Sequence, residues 1–310
     1  MRGRSWTATR RPVDRRMDGA IDTNRAAPIT AGGVLSLDRL AEGRFRAWHT
    51  QANPAGALFG GVVLGQSLAA ASATGPGWPA HSLHGYFLRP GRAGQPVDYI
   101  VETLRDGRRF AARRVTAQQG GRTLFHMHCS FHEPESGFDH QAPPSPDMPA
   151  PEDLIPMDRY VANQVDRLPP SSAAYMAPFP LELRLVEPDD HFLRPTDKPQ
   201  RAFWLRMPSA AGVEDDNQQR ALLAFAADYW LAGVAVGPGR LSTNRDALTI
   251  NSLDHAMWFH RPVRVDQWLL YVCDTPSGSD GRGLARGLLY DRAGRLVATT
   301  SQEALFRATT

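Results

Sequence analysis

This chain carries one stretch in two versions. SLHGYFLRP occupies residues 82–90 and SLDHAMWFHRP residues 252–262; both open on Ser-Leu and close on Arg-Pro. The match continues downstream. Arg89-Pro90 corresponds to Arg261-Pro262, Asp106-Gly107 to Asp280-Gly281 and Gly121-Arg122 to Gly294-Arg295, at offsets of 172, 174 and 173. An offset so nearly constant marks duplication of one unit of roughly 110 residues, and two copies at so long a period make a fused pair of domains rather than a solenoid.

Each copy has the same order of signals. Short extended sequence comes first, Phe45 to His49 in one copy and LELRLV (181–186) with AFWLRM (202–207) in the other. An apolar helix follows, over 60–73 and over 219–236. Three strands close each unit, with QQGG and YDRAG at the glycine-containing turns that hairpins use. One long helix plus an antiparallel meander reads as α+β, the helix packed on one face of the sheet. Between the copies, residues 133–180 hold 11 of the 25 prolines, the composition of a largely extended linker. The expected organisation is a disordered tail over 1–33, a first unit over 34–135, a linker over 136–180 and a second unit over 181–310.

Composition narrows the function classes. A formal net charge of +3 would suit a polyanionic small ligand such as a nucleotide cofactor, but compositional drift is the plainer reading. The arginine pairs Arg108-Arg109 and Arg113-Arg114 lack interleaved exposed aromatics, so nucleic-acid binding is not expected. Two cysteines, Cys129 and Cys273, give no disulfide framework or metal cluster. No run of about 18 apolar residues offers a membrane span. The Arg-rich first 30 residues lack the apolar core of a secretory signal, which makes the cytoplasm the expected location. Lys198 is the one lysine, an arginine bias of the kind GC-rich coding gives, pointing to a bacterial source.

The second helix holds the most informative residue. ALLAFAADYWLAGVAV (221–236) is apolar on every side when wound as a helix, so it reads as buried all round, with Asp228 its one charge. A buried carboxylate needs partners or a water-lined cavity. It is either a structural Asp tied to amides or arginine, or a general base with a perturbed pKa. The first helix has no charge and starts with Gly60-Gly61, whose exposed N–H groups could stabilise an anion unless the glycines serve only close packing. GQSLA (65–69) lacks the last glycine of a nucleophile elbow, so Ser67 is not expected to act as one. His126, His128 and His132 alternate along a strand without a convincing acidic or cysteine partner, so cross-strand packing is expected and no metal.

LFGGVVLGQSLAAA, HSLHGYFLRPG, VETLRDGRRFAARRVTAQQGG, SFHEPESGFDHQ, SLDHAMWFHRP and VATTSQEALFR together resemble the acyl-CoA thioesterase II (TesB-like) family from about residue 36 to 307. The resemblance implies a double hot-dog fold, two units side by side that are each a long helix wrapped by an antiparallel sheet. It implies hydrolysis of fatty acyl-CoA to free acid and CoA with no metal or organic cofactor. The family's site of Asp, Ser or Thr, and Gln falls on Asp228, Ser252 and Gln302.

Direct attack by a water held among those three is the most economical mechanism. Asp228 would take the proton, and Ser252 and Gln302 would orient the lone pair. A thiol pKa near ~8.5 makes the leaving group easy. Backbone N–H groups of Gly60 and Gly61 are the expected oxyanion donors, and His81 a residue that could border the CoA channel. Covalent attack by Asp228 to give an anhydride is the other route. Asp254 and His255 point to opposite faces of one strand, so both cannot line one pocket, and they read as scaffold or as backing for the site. The rivals are an enoyl-CoA hydratase using Asp254 and His260, and a module that binds acyl-CoA without turnover. Sheet edges predict further association into a homo-oligomer.

Overall fold

The computed structural model describes residues 30–308 except 50–51, 54–55, 142–147, 169–171, 173–174, 177–178, 193–197 and 237–247. The expected tail therefore lies outside the described residues up to 29. The Thr30 hydroxyl accepts from the Gly33 N–H and caps α1 (Ala31–Leu35). No helix of the described residues is long and apolar enough to cross a membrane.

The first unit runs β1 (Asp38–Ala41), β2 (Arg44–Ala47), α2 (Gly60–Ser72), β3 (Ala80–Phe87), β4 (Val97–Asp106), β5 (Phe110–Gln119) and β6 (Arg122–His132). The intervening segment carries α3 (Met157–Asn163). The second unit runs β7 (Glu182–Leu185), α4 (Pro188–Phe192), β8 (Gln200–Arg206), α5 (Asp216–Ala227), α6 (Leu231–Ala235), β9 (Leu248–Ser252), β10 (Asp254–Phe259), β11 (Leu269–Ser279), β12 (Arg282–Tyr290) and β13 (Leu296–Ala308). Among the described residues all thirteen strands join one antiparallel sheet.

Strand order displays the duplication. From the outer edge inward the first unit reads β1-β2-β4-β5-β6-β3 and the second β7-β8-β11-β12-β13-β10. The halves meet where β3 pairs with β10, His84 opposite Ala256. Those two residues are 172 apart, the duplication offset, so the pseudo-dyad passes between them. The architecture is the α+β double hot-dog that the sequence implied.

The two long helices touch each other through glycine. A Cβ on Gly61 would sit 2.4 Å from the carbonyl oxygen of Phe225, and one on Gly65 2.7 Å from that of Ala221. Numbers rise along α2 as they fall along α5, so the helices run antiparallel, and the start of α2 lies against the end of α5. Residues 221–227 of α5 are buried without interruption, as their all-round apolar sequence demands.

The structure corrects two expectations. The helix expected over 219–236 is two helices, because Trp230 takes a left-handed φ of 66°. Such a conformation in a bulky residue costs on the order of 1–3 kcal/mol and persists only where packing overdetermines it. Here the indole stacks on His191 and meets Phe192, Phe203 and Tyr175 edge-on. The segment read as a largely extended linker instead packs on the second unit. Met148 and Leu154 cover a patch formed by Trp204, Trp268, Leu270 and Tyr290, and the Trp204 indole donates to the Pro149 carbonyl at 2.9 Å.

The glycine contact gives a stability prediction. Gly65→Ala forces backbone atoms apart and should destabilise the chain by about 1–3 kcal/mol despite alanine's better helix propensity. Urea denaturation checks it; an unchanged or higher midpoint would mean the helices can part without cost.

Candidate active site

Asp228 is the residue after the last turn of α5, and three features fix it there. The Tyr271 hydroxyl donates to the Ala227 carbonyl at 3.1 Å, closing the helix end. The left-handed Trp230 stops the chain from continuing. The start of α2 then meets the carboxylate, since a Cβ on Gly60 would lie 2.8 Å from Asp228 Oδ2. A side chain at that position would have to displace the carboxylate. The side chain is buried, and Oδ1 has no hydrogen-bond partner among the described residues. Burial pushes its pKa up from 3.8 to about 6, with the Gln302 carboxamide and the Gly61 amide holding it partly down. The helix-dipole field at the start of α2 acts in the same downward sense.

Gln302 and Ser252 come from two adjacent strands. Gln302 lies on the buried face of β13, and its Nε2 donates to Ser252 Oγ at 2.6 Å. Its Oε1 faces His255 Nδ1 at 2.8 Å. His255 is wholly buried, and burial lowers its pKa to about 4, so the ring is neutral.

A β-bulge makes this grouping possible. Ser252 pairs with Ala304 and Ala256 with Ser301, so four steps on one strand match three on the other. The extra residue falls around Leu253, whose N–H still donates to the Glu303 carbonyl. The Glu303 N–H is taken by the Asp254 carboxylate at 2.7 Å. Uninterrupted alternation would have put Ser252 and Asp254 on one face. With the bulge, Ser252 and His255 share the face of Gln302, and Asp254 points away to clamp the kink.

The sequence-derived residues divide accordingly. Asp228, Ser252 and Gln302 converge, with Gly60 and Gly61 beside the carboxylate. His81 does not join them. It lies six residues from Phe87, the residue that neighbours Gly60, or roughly 20 Å along a strand at ~3.3 Å per residue. Its ring instead packs edge-on to Phe110 and His132. Ser67 is fully buried inside α2 and forms no elbow, and His126 bonds the Thr116 hydroxyl across strands. Sequence reasoning missed the approach of His255 to Gln302. The signal available was the two-residue difference between the duplicated stretches, which announces an irregular strand.

Known proteins share this arrangement of chain. Family models described as the acyl-CoA thioesterase N-terminal domain and C-terminal domain match residues 48–132 and 143–306. Acyl-coenzyme A thioesterase 8 of Mus musculus is 34% identical over 289 residues, covering 90% of this chain and 89% of that protein. The crystal structure of an acyl-CoA thioesterase II, TesB2, from Mycobacterium marinum shares 35% identity at a TM-score of 0.73, covering 91% of this chain and 99% of that one. A protein of unknown function with a hot dog fold from Alicyclobacillus acidocaldarius, at 20% identity and a TM-score of 0.69, shares the fold over 90% of this chain and 98% of that one.

The buried carboxylate has a measurable consequence. Its folded pKa lies above its unfolded value, so the folded chain holds the proton more tightly. That contribution to stability is present below about pH 4 and is lost as pH rises through about 6, amounting to about 3 kcal/mol of ionisation cost at neutral pH. Asp228→Asn should therefore be more stable than the native chain at pH 8, by about 1–3 kcal/mol, with the difference vanishing near pH 4. Urea melts at the two pH values measure this, and a variant less stable at pH 8 would contradict it.

Proposed function

The chain belongs to the acyl-CoA thioesterase II family, and on that premise we propose that it hydrolyses fatty acyl-CoA to free acid and CoA through a water held by Asp228, Ser252 and Gln302. The observation that carries the mechanism is a buried carboxylate with an unpartnered Oδ1 beside a glutamine amide already bonded to a serine hydroxyl. A water on Oδ1 supplies the missing hydrogen bond. Ionised Asp228 accepts only, so it can remove the water's proton. Ser252 and Gln302 hold the oxygen so that its lone pair faces the thioester carbon. The thiolate leaves without a strong general acid.

The first unit completes this site. The Gly61 amide supports the Asp228 carboxylate, which leaves the Gly60 N–H, unpaired within the helix, as the donor proposed for the developing oxyanion. In this division of labour residues 181–310 supply the base and its two positioning groups, and residues 34–135 the helix start facing them. The outer edge of β1, which no other described strand covers, makes association of chains into a homo-oligomer the expected assembly.

The hydratase reading needs a cooperating Asp and His. The Asp254 carboxylate is occupied by the Glu303 N–H, and His260 bonds the Thr299 hydroxyl at 2.8 Å. Six residues of strand separate the two, so no common substrate atom can sit between them. A binding module without turnover has no use for a carboxylate kept poorly solvated.

Asp228→Asn should lower kcat by about 10²–10⁴ with a much smaller change in KM. In the native enzyme kcat/KM should fall as pH drops through about 6, because the base must be ionised. Thiol release from a fatty acyl-CoA, followed across pH, reads both. Wild-type turnover in the variant would overturn the assignment of the base.

A further inference from the structure

We infer that His255 is a positioning residue for this reaction: its Nδ1–H fixes which end of the Gln302 carboxamide faces Ser252 and Asp228. The inference rests on the hydrolytic reading above and adds a residue to it. A carboxamide has a donor end and an acceptor end, and Gln302 lies between the His255 ring and the Ser252 and Asp228 oxygens. Ionised Asp228 can only accept, so the favourable orientation turns the NH₂ end towards it and the serine. The Gln302 oxygen is then left facing the imidazole, and an oxygen can only accept. Nδ1 must therefore carry the ring's proton.

The surroundings hold the ring in that one state. His255 is wholly buried, and its Nε2 has no hydrogen-bond partner among the described residues, as befits the bare nitrogen of this tautomer. Its Nδ1 lies 3.9 Å from Asp228 Oδ1, outside hydrogen-bond range. The ring therefore acts on the carboxylate through Gln302 and not as a direct partner. Without it the amide could rotate by half a turn and present its oxygen to the carboxylate, where no water could be held in the same pose.

The first unit supplies a natural contrast. His84 pairs with His128 as Ala256 pairs with Ser301. The next pair along is Leu83 with Cys129 in the first unit, at the place of His255 with Gln302 in the second. Both first-unit residues are buried. The imidazole and the carboxamide are thus present together in one unit and absent together in the other.

Four variants test this: His255→Leu, which installs the first unit's residue, His255→Asn, whose amide nitrogen falls near the place of Nδ1, Gln302→Ala, and the double variant His255→Leu/Gln302→Ala. His255→Leu should lower kcat about 10–100-fold, the usual cost of a misplaced catalytic group, with KM changed less than about threefold. His255→Asn should recover at least about tenfold of that loss. The double variant should be no slower than Gln302→Ala alone, because residues acting as one unit are not additive. Multiplying losses in the double variant, or an equal loss in His255→Asn and His255→Leu, would overturn the inference. If His255→Leu fails to fold, nitrogen-15 NMR of the histidines in the intact enzyme decides: a His255 ring protonated on Nδ1 supports it, and one protonated on Nε2 overturns it. Full activity in both Asp228→Asn and Gln302→Ala would instead sink the assignment of the water-holding residues, and no thiol release by the native enzyme would sink the hydrolytic reading itself, so these failures are distinct from that of the inference.

Discussion

At Gly61 and Gly65 the backbone of α2 lies against the carbonyls of Phe225 and Ala221, closer than any side chain would permit. That contact sets the position of the rest. It brings the positive start of one helix to the end of the other, where the chain places its one carboxylate in that stretch. It also explains why a carboxylate can stay buried there at all. Desolvation alone would drive Asp228 to its neutral form, while the Gly61 amide and the Gln302 carboxamide hold it near the point where it ionises at physiological pH. A base poised in this way is inexpensive to deprotonate and still basic enough to take a proton.

Two similar units have diverged at equivalent places. Helix α5 is followed by Asp228 and helix α2 by Ala73. His255 and Gln302 stand where the first unit has Leu83 and Cys129. The far end of the helix pair is tied by basic side chains instead. Arg113, almost fully buried, donates to the Thr74 carbonyl at 2.8 Å and to Asp106 at 2.7 Å, and Arg220 donates to the Ala80 carbonyl at 3.0 Å. One end of the pseudo-symmetric pair is thus tied by arginines, and the other holds the buried carboxylate.

The architecture was legible because its signals are local and repeated. Apolar helices, glycine turns and a steady offset survive in the sequence whatever the tertiary contacts do. Asp228 stood out for the same reason, as a single charge in an apolar run. What escaped was conformational. The break at Trp230 depends on aromatic rings brought in from Tyr175, His191 and Phe203, and nothing in DYWLAG itself demands a left-handed residue. The bulge at Leu253 depends on a carboxylate reaching across to the Glu303 amide. The shared Ser-Leu opening even misleads: counted back from Arg-Pro, Ser82 occupies the place of Asp254, and Ser252 lies two residues further out, beyond the kink. Strand periodicity gives the face of a residue only while the strand is regular.

In the proposed reaction water itself attacks the thioester, with Asp228 as the base and never as a nucleophile. A single turnover of the enzyme in oxygen-18 water tests it most directly. Direct attack by water puts the label in the released fatty acid and none in the enzyme; oxygen-18 found in the Asp228 carboxylate would show an anhydride intermediate and overturn it.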